Sequence, residues 1–184
     1  MHILIADDES IIRMGLKAML VAMGHEVITA VNGREALDMV RHHRPDLAIL
    51  DIKMPFTNGL QVAETLSRAH PLPILLLTAF SEQDLIEEAS NLPIHGYLIK
   101  PIKPEELAAA IAVARKRFAD NQALTEKAAQ LEETLETRKI IDRAKGKLME
   151  KGLSEEDAYH LIQTQARSLN KSMKVVALAI LKEE

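Results

Sequence analysis

LAILDIKMPFTNG, residues 47–59, changes character twice within one short stretch. Leu47 to Leu50 is an unbroken apolar run, the pattern of a strand buried on both faces. Asp51 ends that run with a carboxylate, and Asn58-Gly59 supplies a helix start. Three other runs follow the same grammar. ILIA ends at Asp7-Asp8, LPILLL at Thr78, and IHGYLI at Lys100-Pro101. As neighbouring strands of one parallel sheet, these runs bring three carboxylates, a hydroxyl and an ammonium to one edge. That is the edge where open α/β sheets place their sites.

Working outward, strand and helix signals alternate as far as residue 118. Strands are expected near 2–6, 26–30, 46–50, 72–78 and 94–99, and helices near 9–22, 33–43, 59–68, 82–91 and 104–118. Five βα units make a doubly wound parallel α/β sheet with right-handed crossovers and helices on both faces. Between Pro104 and Gly146 there is neither Gly nor Pro. Leu107, Ile111, Ala114, Phe118, Asn121, Leu124, Ala128, Leu131 and Leu135 step by three or four, a coiled-coil-like seam. The 118–121–124 spacing adds a step of three that locally overwinds it. Leu107 to Phe118 are expected to face the sheet, whereas Leu124 to Leu135 call for a partner helix. Gly152 is expected to close the long helix and Ser154 to open another near 154–169. Residues 170–172 form a turn, and a last helix runs from Met173 to Leu181. The expected divisions are therefore 1–118, a helical linker at 119–137, and a small all-α three-helix unit at 138–184.

Composition narrows the chemistry. The 184 residues include no cysteine, which removes disulfides, thiolate metal sites and thiol nucleophiles. No signal-peptide pattern or long apolar span is present, so a cytoplasmic protein away from membranes is expected. The net charge of −4 is uneven: residues 1–137 carry 13 Lys/Arg against 20 Asp/Glu, and residues 138–184 carry 10 against 7. An acidic front suits a cation and a basic tail suits a polyanion.

At the acidic edge, Asp7, Asp8 and Asp51 offer hard oxygen ligands of the kind Mg²⁺ takes while keeping several waters. Asp51, at the end of the central strand, is placed to attack phosphorus and form an acyl phosphate. Lys100 supplies positive charge to a dispersed anionic transition state, and Thr78 a hydrogen bond. Lys100-Pro101 is a candidate cis peptide. Helix capping by Asp7-Asp8-Glu9 and a core role for Tyr97 are the bland alternatives.

Residues 1–118 resemble the receiver domain of two-component response regulators, through DD at 7–8, DIKMPFTNG at 51–59, TA at 78–79 and YLIKP at 97–101. The resemblance implies strand order 2-1-3-4-5 and phosphorylation of Asp51 by a sensor histidine kinase. It also implies Mg²⁺ held by Asp7, Asp8, Asp51 and the backbone carbonyl of Lys53. Thr78 and Tyr97 would be the switch pair, and Lys100, with Pro101 beside it, the phosphate contact. Phe80 is bulkier than many counterparts and is expected to slow water attack on the acyl phosphate.

In the tail, Arg138, Lys145 and Met149 share one helical side beside an apolar stripe of Ile141, Ala144 and Leu148. A mid-helix Gly146 costs about 1 kcal/mol relative to alanine, which close approach of another backbone would explain, whether a packed helix or a nucleic-acid strand. Residues 138–181 resemble an ANTAR output domain, through RxxIxxAKGxLM at 138–149, GLSEEDAY at 152–159 and VVA at 175–177. Gln163 departs from the arginine frequent in that family. The resemblance implies dimeric binding of paired RNA stem-loops that prevents transcription termination. The candidate contacts are Arg138, Lys139, Arg143, Ala144, Lys145, Gly146, Lys147, Met149 and Arg167. Tyr159, the tail's only aromatic, is expected in the core.

Two other readings compete. Residues 154–181 superficially fit a helix-turn-helix on DNA, although the last helix offers only Lys174 and Lys182 as positive groups. An aspartate-nucleophile phosphatase usually carries a second Asp two residues after the first, where this chain has Lys53. The expectation is therefore a non-enzymatic, phosphorylation-controlled homodimer acting on RNA.

Overall fold

The computed structural model describes residues 1–79 and 92–182. The helix expected at 82–91, and Phe80 with it, lie outside the described residues. The chain divides into two compact units, Met1–Gln122 and Ala123–Glu184. The first contains β1 (His2–Ala6), α1 (Ser10–Ala22), β2 (Glu26–Ala30), α2 (Gly33–His43), β3 (Leu47–Asp51), α3 (Gly59–Ala69), β4 (Ile74–Thr78) and β5 (Gly96–Ile99). Its last described element is the beginning of α4 (Pro104–Glu150), which runs unbroken into the second unit. There α5 (Glu155–Ser168) and α6 (Met173–Lys182) follow.

All the described strands pair in parallel in the order β2-β1-β3-β4-β5, as the receiver resemblance implies. Every residue of β3 and β4 is buried, which is why both read as continuous apolar runs. β4 starts at Ile74, two residues later than expected, because proline has no N–H to give a ladder. Pro73 still accepts a bond from the Ala48 N–H at 3.0 Å. On one face Leu4, Leu50 and Leu76 pack with Ala36 and Val40 of α2 and Val62 and Leu66 of α3. On the other, Ile3, Ile49 and Leu75 meet Leu16 and Leu20 of α1 and Leu107, Ile111 and Ala114 of α4.

Local chemistry sets where the helices begin. Asn32 caps α2 by accepting from the Glu35 N–H at 2.9 Å. Asn58 caps α3 through a reciprocal box: its side chain accepts from the Gln61 N–H at 2.8 Å, and its own N–H donates to Gln61 at 3.2 Å. The box fixes the loop that leads out of Asp51. At the far end of the sheet, buried His95 accepts the Ile74 N–H on Nδ1 at 3.1 Å. Its ring meets Phe118 edge-on at 5.2 Å, and Arg117 donates to its carbonyl at 3.3 Å. Burial, with Arg117 nearby, lowers the His95 pKa and keeps the ring neutral.

In the second unit, Ala144 and Leu148 of α4 pack with Ala158, Ile162 and Ala166 of α5 and Val176, Ala177 and Ile180 of α6. α4 ends where Gly152 takes φ +98°; the Gly152 N–H reaches Met149 O at 2.9 Å and Leu153 N–H reaches Leu148 O at 3.3 Å. Ser154 caps α5, accepting from the Asp157 N–H at 3.1 Å. One expectation is corrected, and one alternative falls away. Tyr159 is 42 % exposed, because the smaller Ala158 takes the inward position. Gly146 has no intramolecular crowding: a Cβ there would meet nothing within 4 Å.

Candidate functional site

β1, β3 and β5 deliver three charged side chains to the carboxyl edge of the sheet. Asp7, wholly buried just after β1, accepts the Glu9 N–H on Oδ1 at 2.8 Å and Lys100 Nζ on Oδ2 at 2.7 Å. Asp51, the last residue of β3, holds the same ammonium through Oδ1 at 2.6 Å. Glu9 stands 3.7 Å from it. Burial pushes the Asp51 carboxyl up to about 6; Lys100 pulls it down, and Asp7 and Asp8 push it up again. For Lys100, burial works against its charge, but the bonds to Asp51 and Asp7 prevail and raise its pKa. The result is a nearly buried carboxylate held beside a cation that stays charged.

The remaining candidates surround this cluster. Asp8 is exposed, and Lys53 is exposed in the loop two residues beyond Asp51. Thr78 ends β4, fully buried, and its Oγ1 donates to Ala79 O at 3.1 Å. Tyr97 is no core residue: it lies on the edge strand β5 with 54 % of its surface exposed. The Lys100-Pro101 peptide is cis. Among the described residues no three acidic or histidine side chains form a ready-made metal cluster. Magnesium needs only one or two carboxylates and keeps its waters, so the oxygen donors of Asp7, Asp8 and Asp51 still fit it.

Two residues of the site escaped the sequence reading. Arg13 donates from Nη1 to the carbonyls of Asp7 (2.7 Å) and Asp8 (2.9 Å), bracing the acidic loop from the second turn of α1. Its spacing from the aspartates was visible but carries no signal by itself. Gly59 was read only as a helix start. A Cβ there would lie 2.2 Å from the Asp51 carbonyl oxygen, so glycine is what lets α3 begin directly against the backbone of Asp51.

Residues 3–112 match the response regulator receiver domain. The chain belongs to the response regulators. Residues 129–181 match the ANTAR domain, so this response regulator carries an ANTAR module behind its receiver. It is 42 % identical over 182 residues to the transcriptional regulatory protein PdtaR of Mycobacterium tuberculosis, spanning 98 % of this chain and 89 % of that one. A probable transcriptional regulator, ycf27 of Cyanidium caldarium, is 39 % identical over 64 % of this chain and 47 % of its own length. Among solved structures, a Clostridium thermocellum receiver domain protein aligns with TM-score 0.60 and 31 % identity, covering 63 % of this chain and 94 % of that one. The Vibrio cholerae chemotaxis protein CheY4 aligns with TM-score 0.56 and 32 % identity, covering 60 % and 95 %.

In the ANTAR module the candidate contacts separate by exposure. Arg138, Lys139, Arg143 and Arg167 are exposed, and Met149 is 45 % exposed. Gly146 is half-buried with an open face. Ala144 is corrected: it is wholly buried in the module core and presents no surface to a partner. Lys145 is held within the chain by Glu155 at 2.8 Å and Asp142 at 3.1 Å, with only 16 % of its side chain exposed. Those two bonds raise its pKa, the one to Glu155 first. Lys147 donates to the Leu181 carbonyl at 3.4 Å, near the end of α6. The structure thus leaves arginines and Lys139 outward and turns Lys145 and Lys147 to holding the three helices together.

Proposed function

We propose that this response regulator accepts a phosphoryl group on Asp51 from a sensor histidine kinase and in response binds paired RNA stem-loops as a dimer, preventing transcription termination. The observation that carries the reading is the Lys100 ammonium 2.6 Å from Asp51 and 2.7 Å from Asp7 at the carboxyl edge of the sheet. In the transfer, an Asp51 oxygen forms a bond to phosphorus while the bond from phosphorus to the donor's imidazole nitrogen breaks; that nitrogen keeps the electron pair, and the ring leaves as neutral imidazole because its other nitrogen carries a proton. Lys100 then moves its contact from the carboxylate to a phosphoryl oxygen, and Thr78 donates to another. Asp7, Asp8, Asp51 and the Lys53 carbonyl would hold Mg²⁺, which supplies positive charge against the phosphoryl oxygens.

The product carries about 1.5 to 2 negative charges at one point, where the carboxylate carried one that was already balanced. Thr78 and Tyr97, on adjacent strands β4 and β5, are the switch pair that registers the change. In the second unit, the exposed leucines of α4 supply the dimer seam, and Arg138, Lys139 and Arg143 the salt-dependent attraction to RNA. Incubation with a small acyl phosphate and Mg²⁺ tests the reading. One phosphoryl group should be gained, as read by intact mass, with a doubling of mass in light scattering, and Asp51→Asn should show neither. Uptake by the Asp51→Asn chain, or uptake without any change in association or RNA affinity, contradicts it.

A further inference from the structure

Leu124, Ala128, Leu131 and Leu135 recur along α4 at steps of four, three and four, and the leucines are 65, 63 and 57 % exposed. At about 100° per residue, this stripe lies about 155° round the helix from Ile140, Ile141, Ala144 and Leu148. Those four residues belong to the core made with α5 and α6. The module core takes α4 only from Ile140 onward and on the side away from this stripe, and from Leu124 to Glu136 the helix is exposed all round. With Leu124 and Leu131 at d and Ala128 and Leu135 at a, Lys127 falls at g and Glu132 at the following e. In a parallel pair each g residue meets that e residue on the other helix, so Lys127 faces Glu132 twice by symmetry. The occupant that matches this face in both shape and charge is a second copy of the chain.

The next d position is Arg138. It is exposed, and it makes no ion pair among the described residues. Asp142, four residues on along the same face, is already occupied by Lys145 at 3.1 Å. Pairing along Leu124 to Leu135 therefore sets two guanidinium groups against each other with Lys139 at their flank and no counter-charge supplied.

We propose that these two Arg138 side chains form a single anion site shared by two copies, and that an RNA phosphate is the missing anion. The inference rests on the RNA-binding reading above. Each chain holds half of the site. Without RNA the layer opposes pairing; with a phosphate between the arginines it favours pairing, so RNA affinity and dimer affinity are linked reciprocally.

Sedimentation velocity with and without a short stem-loop RNA, combined with RNA titrations, tests this. Arg138→Gln should pair at least threefold more tightly than wild type without RNA, yet bind the stem-loop at least tenfold more weakly. Its salt dependence should lose about one phosphate contact per dimer, a change of about 0.9 in slope. Leu131→Glu, at an exposed position, should fold, remain monomeric and bind RNA at least tenfold more weakly. An Arg138→Gln dimer that is no tighter overturns the proposal, and a weaker one means Arg138 pairs with Asp142 across the seam. Monomeric Leu131→Glu with wild-type RNA affinity also overturns it. Wild-type chain that binds no stem-loop while Arg138→Gln pairs more tightly removes the RNA half and supports the charge layer, so the two failures are told apart.

Discussion

Lys100 is the residue on which the acidic site depends. Removing its charge leaves Asp7 and Asp51 facing one another with almost no water. Lys100→Met is expected to cost about 3 kcal/mol at neutral pH, the order found when one member of a buried ion pair is lost; urea unfolding measures it. Gly59 makes a sharper test of geometry, since its Cβ would stand 2.2 Å from Asp51 O. Gly59→Ala should cost about 2 kcal/mol through overpacking. It should also slow phosphoryl uptake at least tenfold in a time course with a small acyl phosphate, because the backbone of Asp51 must move. The charged members of the site were legible in the sequence because each ends an apolar run, and strand direction then places them together. Gly59 and Arg13 were not, since their work is close approach and backbone support, which leave no chemical signature in a single sequence.

Among the elements, the joint between β5 and α4 responds to pH. His95 is neutral in the folded chain, with its pKa below the ordinary 6.5, and its Nδ1 accepts a backbone N–H. The unfolded chain therefore binds the proton first as pH falls. This contribution to stability is complete above 6.5 and is lost as pH drops toward the folded value, with a slope of at most about 1.4 kcal/mol per pH unit. Asp51 acts in the opposite sense: its pKa is raised from 3.8 to about 6, so its contribution is present at low pH and lost as pH rises through 6. The difference between wild type and His95→Asn isolates the histidine, and denaturant midpoints from pH 7.5 to 5 should converge as pH falls. In α4, Gly146 has open space around it. Gly146→Ala should raise thermal stability by up to about 1 kcal/mol from helix propensity alone, and a fall in RNA affinity alongside that gain would show that the bare backbone serves docking. Helix and strand positions were readable from periodicity and caps, whereas the place of Tyr159 was not. Its size suggested burial, but the neighbouring Ala158 fits the tight α4–α5 contact and turns the ring outward.

For the whole molecule, an acidic receiver and a basic module were visible as a charge asymmetry, and α4 is the element that belongs to both units. The seam of α4 could be read from its spacing, but only the structure showed that the module's core uses the opposite side. In the proposed function, phosphorylation of Asp51 governs what the module binds. The most direct measurement is the affinity of the full chain for a paired stem-loop RNA, at fixed salt, with and without a small acyl phosphate and Mg²⁺, in wild type and Asp51→Asn. Phosphorylation of the wild-type chain should tighten binding at least tenfold, and the variant should show no change. Equal affinity in both states of the wild-type chain, or the same gain in Asp51→Asn, would contradict the proposed function.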